Sequence, residues 1–150
     1  LLDGSRGLGT PWAELSGEPD LTILRDAVTI LRRLRREEEI DLVFFGGVRS
    51  GTDTAKLIAM GSMAVILGVI LGLAVGGEIN ANHEMQFAAD RSDAERAEAV
   101  ANILTASAQE ASMMARCTGK TNLHNVEPED LRAISKATAK ATGIPLAGTL

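Results

Sequence analysis

The chain has 150 residues, of which 45% are hydrophobic and 3% aromatic, with a formal net charge of −5 and a pI near 5.0. This composition is typical of one domain with its own core, and the acidic balance argues against nucleic-acid partners, which select basic patches and stacking rings. A single cysteine, Cys117, excludes an intrachain disulfide and a four-cysteine metal site. Because no leader peptide precedes the first elements, the sequence predicts a cytoplasmic protein in a reducing compartment.

Two elements are predicted before residue 40. Leu1-Leu2 is typical of the end of a strand, and the glycine-rich segment 3–10 follows it as a turn. Residues 21–39 then place apolar side chains at helical spacing, with Asp20 as N-cap and four arginines near the helix C-terminus, where positive charge suits the helix dipole. Since three glutamates at 37–39 nearly neutralise these arginines, this end of the helix is interpreted as a solvated surface.

The stretch 41–77 has the most specific pattern. A short strand-forming run at 42–45 stops at Gly46-Gly47, a pair that lets the backbone turn tightly. The polar residues 49–53 then suit the start of a helix that continues through 55–60. A strand, a glycine-rich turn and a helix N-terminus together predict an anion site, for which phosphate is the natural ligand.

Two interpretations of the apolar run 57–77 are open. It has 21 residues without a charge and three glycines at spacing four, as a packed membrane helix would have. In the alternative, Gly61 ends a helix in the left-handed conformation, 64–67 is a buried parallel strand, and Gly68-Val69 is a second tight turn that leads into another helix.

Residues 46–68 resemble the last two β-α units of the FMN-binding (β/α)8 barrel of glutamate synthases, a resemblance that favours the second interpretation. The family pattern runs Gly-Gly-Ile-Arg-Thr-Gly-x-Asp-x-x-Lys, continues through a Leu-Gly-Ala segment and ends in a Gly-Thr turn. Residues 115–149 are similar to the tail of glutamate synthase-like proteins that include the methylamine–glutamate N-methyltransferase subunit. The positions that match the first pattern are Gly46, Gly47, Arg49, Gly51, Asp53, Lys56, Gly61, Val65 and Gly68.

The resemblance implies an α/β fold made of the C-terminal portion of a (β/α)8 TIM barrel plus C-terminal helices. Residues 1–77 would supply the last strands and helices, and 78–150 a helical extension packed on them. The implied cofactor is FMN, and the implied reaction combines ammonia or an amine with 2-oxoglutarate to form glutamate. The implied phosphate ligands are the turns that contain Gly46, Gly47, Gly68 and Val69, with Arg49 as charge partner; no catalytic residue and no metal ligand is predicted.

Several departures from the family pattern bear on activity. The family's Gly-Thr turn is Gly68-Val69 here, which removes a hydroxyl ligand for phosphate, and Met63 stands at an acidic or polar position. The cysteine motifs of the larger synthases are missing, and the segment 3–10 matches the family loop after the sixth strand imperfectly. Only about three strands are predicted, whereas a closed barrel needs eight in about 250 residues. The chain is therefore interpreted as incomplete: either a partner chain supplies the other strands, or the chain is an open half-barrel with an exposed strand edge.

Two alternatives to the enzyme remain: a non-catalytic half-barrel subunit that assembles through its strand edge, and a small membrane protein spanning 57–77.

Ser92 begins a capping box before a long helix to about Arg116, and Gly143 ends the last helix. Cys117 and His124 lack the third group that a nucleophile and its base need. One face of the long helix is predicted to be a buried scaffold surface, formed by Ala97, Val100, Ala101, Leu104, Ala108, Ala111 and Ala115.

Overall fold

The computed structural model describes residues 1–5, 19–82, 84–87 and 90–149. The described part contains two sheets, five helices and two short 3₁₀ turns, at Leu123–Asn125 and Pro128–Asp130. In chain order the named elements are β1 (Leu2–Asp3), α1 (Thr22–Leu34), β2 (Val43–Phe45), α2 (Gly51–Ala59), β3 (Ala64–Ile66), α3 (Val69–Ala74), β4 (Gly77–Ile79), β5 (Met85–Phe87), α4 (Asp93–Cys117) and α5 (Lys136–Thr142).

The first three strands form a parallel sheet in the order β1-β2-β3. Phe44 pairs with Leu2 on one side and with Val65 on the other, so these three side chains lie on one face of the sheet. Phe44 is completely buried there, in a core that includes Leu24 of α1 and residues of α2 and the C-terminal segment. Helices therefore cover this face, as the βαβ pattern requires.

The opposite face of the sheet is open. Its side chains are Asp3, Val43, Phe45, Ala64 and Ile66, none of which is buried, and Ile66 is 40% exposed. Among the described residues, β1 and β3 pair only with β2, so each has an unpaired outer edge. A strand does form here, but the prediction that the strand at 64–67 is buried is wrong. The reason is that β3 lies at the edge of a sheet that only one layer covers.

Helix α1 is shorter than predicted. It begins at Thr22, whose N–H donates to Asp20 Oδ1 at 3.0 Å, and it ends at Leu34 because Arg35 adopts a left-handed conformation with φ of 54°. Beyond this point Arg36 pairs with Glu39 in a tight turn. The charged residues 35–39 are exposed and have no apolar face to pack, so tertiary contacts do not extend the helix over them.

The predicted ends of α2 and the start of α4 are confirmed. The Ser50 hydroxyl accepts the N–H of Asp53 at 3.2 Å, and Gly61 follows α2 with φ of 105°. Ser92 and Glu95 form the reciprocal capping box at the start of α4. The apolar run 57–77 is thus divided among α2, β3, α3 and β4, and no helix in the described part of the chain is long and apolar enough to cross a bilayer.

The predicted buried face of α4 is wrong for the N-terminal half of this helix. Ala111 and Ala115 are buried, but Ala97 and Ala101 are exposed and Leu104 is 46% exposed. The reason is length: α4 has 25 residues and its main neighbour α2 has 9. At 1.5 Å per residue, α2 covers only a part of α4.

Strands β4 and β5 form an antiparallel hairpin, whereas the resemblance implies helices for this part of the chain. The hairpin begins at Gly77, so it lies across the predicted boundary between 1–77 and the helical extension. The two-part division of the chain stays a prediction.

Candidate functional site

The structure brings the two predicted glycine turns to one edge of the sheet. Phe45, the last residue of β2, pairs with Ile66, the last residue of β3, and the strands are parallel. Gly46-Gly47 directly follows β2, and Gly68-Val69 follows β3 after one further residue. Since parallel strands end on the same side, both turns lie where open and closed α/β folds gather ligand contacts.

The first turn is tightly packed against the chain itself. Gly46 and Gly47 have φ of 97° and 75°, conformations that favour glycine. A Cβ on Gly46 would lie 3.0 Å from the N atom of Ser5, and one on Gly47 would lie 2.6 Å from Cβ of Pro19. The glycines therefore let the ends of the segment after β1 approach the turn, which positions the turn against β1.

Arg49 extends from this turn into solvent. Its side chain is 58% exposed, and its Nε lies 3.3 Å from Oδ2 of Asp53. The other carboxylate oxygen of Asp53, Oδ1, lies 3.6 Å from Nζ of Lys56. Together with Gly47 these residues line a cleft of about 530 Å³. Among the described residues, the guanidinium of Arg49 has one carboxylate partner, so it keeps donors that an anion at the sheet edge can use.

The N-terminus of α2, predicted as part of an anion site, is occupied by a carboxylate of the same chain. The N–H of Gly51 donates to Glu110 Oε2 at 2.9 Å, and the Thr52 hydroxyl donates to Glu110 Oε1. The N–H of Gly51 thus already has a partner within the chain, and phosphate binding at this helix N-terminus stays a prediction. Sequence reasoning missed Glu110 because it lies 59 residues away, in a helix interpreted as scaffold, and no local pattern links it to Gly51.

The contact between α2 and α4 is close because Gly51 lacks a side chain. A Cβ at Gly51 would lie 2.0 Å from the carbonyl oxygen of Ser107 and 2.8 Å from the N atom of Ala111. No real Cβ atom fits at such distances. The glycine, which also matches the family pattern, therefore determines how closely α4 approaches and where Glu110 lies.

The hydrogen bond from Thr52, aided by the N–H groups of Gly51 and Thr52 and the charge of Lys56, lowers the pKa of Glu110 below its usual 4.5. A lowered pKa in the folded state means that this carboxylate stabilises the fold at pH values above 4.5 and that the stabilisation is lost as the pH falls through the lowered pKa. We expect Glu110→Gln to be less stable than the unmodified chain at pH 7, with the difference vanishing in acid.

Urea unfolding at a series of pH values measures this difference. Glu98→Gln on the same helix is the matched control, since Glu98 is exposed and the described structure records no partner for it. A gap between Glu110→Gln and the unmodified chain that stays constant down to the lowest pH would contradict the assignment of the interaction to the ionised carboxylate.

The second turn differs from the first. Gly68 is the N-cap of α3 without a side-chain cap, and Val69 is buried, with 6% of its surface exposed. The Val69 side chain therefore packs inside the protein, and a ligand at this turn would meet backbone atoms. Leu67 and Leu71, on either side of the turn, line an apolar groove of about 740 Å³ between β3 and α4.

The remaining candidates are separate from the turns. Cys117 is exposed, and Nε2 of His124 lies 3.1 Å from the carbonyl oxygen of Met63, so the imidazole ties the segment after α4 to the start of β3. The described residues contain no group of three or more His, Cys, Asp or Glu side chains suited to a metal ion. Most of the segment 3–10, with its imperfect family match, lies outside the described residues.

Parallel strands joined by helices on one face, with glycine turns at their carboxyl ends, are the pattern expected for part of a (β/α)8 barrel, and a structural comparison confirms the predicted fold class. A point mutant of flavocytochrome b2 has a similar structure, with a TM-score of 0.53 and 19% identity over 87% of this chain and 31% of that chain. No protein-family model matches the chain.

Sequence comparison defines the family. A glutamate synthase large subunit-like protein of Rhizobium meliloti (strain 1021) is 35% identical over 182 aligned positions, which include 99% of this chain and 41% of the relative. The pre-mycofactocin synthase of Mycolicibacterium smegmatis is 27% identical over 110 positions, and the L-lactate oxidase of Nostoc is 44% identical over 45. The chain belongs to the glutamate synthase-like family, and it spans less than half the length of these relatives.

Proposed function

We propose that the chain is part of an FMN-dependent oxidoreductase of the glutamate synthase type, in which the two glycine turns hold the phosphate of FMN. The observation that supports the proposal best is the placement of both turns at one edge of the parallel sheet. Relatives described as a glutamate synthase-like protein and an L-lactate oxidase support an oxidoreductase. The bound flavin would supply the electron transfer that reduces an imine of 2-oxoglutarate and ammonia, or an amine, to glutamate.

The residues of this chain fit the phosphate in a specific way. The backbone N–H groups of Gly47 and Gly68 and the exposed guanidinium of Arg49 would bind it, since charge-assisted hydrogen bonds are the strong ones. The N-terminus of α2 takes no part, because Glu110 already occupies it. Arg49 would be the charged contact of an anion bound at the turns.

A partner of matching architecture would complete the barrel. The open face of the sheet and the unpaired edges of β1 and β3 need cover, because parallel sheets are normally covered on both faces. The apolar groove beside β3, which Ile66, Leu71 and Leu104 help to line, would receive the side chains of an added parallel strand. Such strands would come from a further chain or from the rest of a longer protein.

A non-catalytic assembly subunit is the second candidate. Two observations favour it: Glu110 satisfies the helix N-terminus nearest to the first turn, and Val69 replaces the threonine of the family pattern with a buried apolar side chain. In this case the chain would take part in assembly through β1 and β3 and would bind no flavin. Flavin binding distinguishes the two candidates.

We expect FMN to co-elute with the chain in gel filtration and to bind more tightly than riboflavin, which lacks the phosphate. Arg49→Gln should reduce the preference for FMN by roughly tenfold, as loss of a charge-assisted hydrogen bond predicts. Val69→Thr should leave this preference nearly unchanged, because the side chain at this position is buried and a ligand at the turn meets backbone atoms. Quenching of flavin fluorescence measures both affinities.

Arg33→Gln, an exposed substitution on α1, is the control and should bind FMN as the unmodified chain does. A colourless protein after gel filtration, or equal affinity for FMN and riboflavin, would exclude the phosphate site and favour the assembly subunit.

A further inference from the structure

A second cleft lies between helix α1 and the C-terminal segment 128–145. It has a volume of about 350 Å³, and three arginines line it: Arg25 and Arg32 from α1, and Arg132 from the C-terminal segment. Neither glycine turn contributes a lining residue, but Met60 and Arg132 also line the cleft beside Gly47 and Arg49, so the two clefts share these two residues. The chain as a whole is acidic, but these three guanidinium groups from two distant segments make the cleft locally basic.

The arginines are held in different ways. Arg25 donates to Asp26 at 2.7 Å and to the carbonyl oxygen of Lys140 at 2.8 Å, and the second bond ties α1 to α5. Arg132 donates through Nη1 to the carbonyl oxygens of Glu129, at 2.9 Å, and Leu131, at 2.7 Å. These carbonyls orient the guanidinium of Arg132 without neutralising it. An oriented donor loses less conformational freedom when a ligand binds.

Arg32 completes the set. No hydrogen bond or ion pair joins its side chain to another described residue, and it lies two helical turns from Arg25 on the same side of α1. Among the described residues, Glu129 is the one acidic side chain that lines the cleft, and Asp26 already pairs with Arg25. Arg32 and Arg132 therefore face one carboxylate, and the local excess is one positive charge.

The other walls of the cleft are mostly apolar. Val28, Met60 and Ile144 contribute to them, along with two prolines of the C-terminal segment. A concave site with apolar walls and a few convergent charged groups is the usual form of a small-molecule pocket. The planar guanidinium groups match the oxygens of a phosphate group in paired hydrogen bonds, which a lysine does not reproduce.

We propose that this cleft binds a small organic phosphate monoester, with Arg32 and Arg132 as the ligands of the phosphate and Arg25 as the residue that maintains the wall. The carbon part of the ligand packs on the apolar walls. Because the ligand contacts both α1 and the C-terminal segment, its binding stabilises the contact between them. The proposal does not depend on flavin binding.

The test is calorimetric titration of the full chain with glycerol 3-phosphate, with glycerol as the uncharged comparison, at low and constant ionic strength. We expect one saturable site for the phosphate ester and none for glycerol. Arg32→Gln and Arg132→Gln should each weaken binding by about tenfold, and Arg132→Lys should weaken it less, since it keeps the charge and loses the fork. Both residues are exposed, so the variants should fold, and circular dichroism verifies this.

Arg33→Gln is the matched control, because Arg33 neighbours Arg32 in α1 and does not line the cleft. The proposal fails if no saturable binding is found, or if Arg33→Gln weakens binding as much as Arg32→Gln does. It also fails if excess FMN displaces the ester while the arginine substitutions have no effect, because the ester would then occupy the glycine turns.

Discussion

Phe44→Ala is expected to reduce the free energy of unfolding by about 3–5 kcal/mol, the usual cost of truncating a fully buried phenylalanine. Phe44 has no exposed surface, and it fills the space between β1 and the helices. Even the Cα of Gly4 is close to it, since a Cβ there would lie 2.4 Å from the tip of the ring. Gly4 has no side chain that could fill the cavity left by alanine.

The neighbouring Phe45→Ala is the matched control, because Phe45 lies on the open face of the same strand. It should cost less than half as much as Phe44→Ala. Urea denaturation followed by circular dichroism measures both values. Equal losses for the two variants would show that both faces of the sheet are covered in solution, which would contradict the one-sided packing described above.

Gly51→Ala is expected to destabilise the chain by about 3 kcal/mol or more, the upper part of the range for overpacked sites. The added methyl group would lie 2.0 Å from a backbone oxygen of α4, which no rotamer change relieves. Alanine is favoured over glycine by about 1 kcal/mol inside a helix, so a net loss must come from the contact with α4. Separation of the helices would also break both hydrogen bonds to Glu110.

Gly119→Ala is the control for this prediction. Gly119 has φ of 78° and no atom within 4 Å of an added Cβ, so its substitution costs only the left-handed strain of about 1–2 kcal/mol. Thermal unfolding of the two variants separates steric clash from strain. A melting temperature for Gly51→Ala at or above that of Gly119→Ala would mean that the crossing of α2 and α4 is looser than the structure indicates.

The local elements of the site were predictable because their signals are local. Gly46-Gly47, the cap at Ser50 and the stop at Gly61 each act within a few residues, and the structure has each of them in the predicted role. The partner of the α2 N-terminus was not predictable. The packing of α4 on α2 determines which anion meets those N–H groups. In the sequence, nothing distinguishes Glu110 from other charged residues on an exposed helix face.

At two places the sequence pattern also predicted burial that the structure does not have. A continuous apolar run indicates a strand covered on both faces, yet Ile66 is 40% exposed because the described chain provides one covering layer. The alanine face of α4 has helical periodicity along its whole length, but periodicity does not report how long the neighbouring helix is. Similarly, the three arginines of the second cleft converge only because the C-terminal segment packs beside α1.

The difference in length between α4 and α2 gives α4 two regions of different local stability. Its C-terminal part, around Ala111 and Ala115, shares packing with α2 and unfolds only when that contact is lost. Its N-terminal part has fewer packing contacts and depends more on the capping box and on the helix propensity of its many alanines. Backbone amides near Ala97 should therefore open through local fraying, while those near Ala111 report global unfolding.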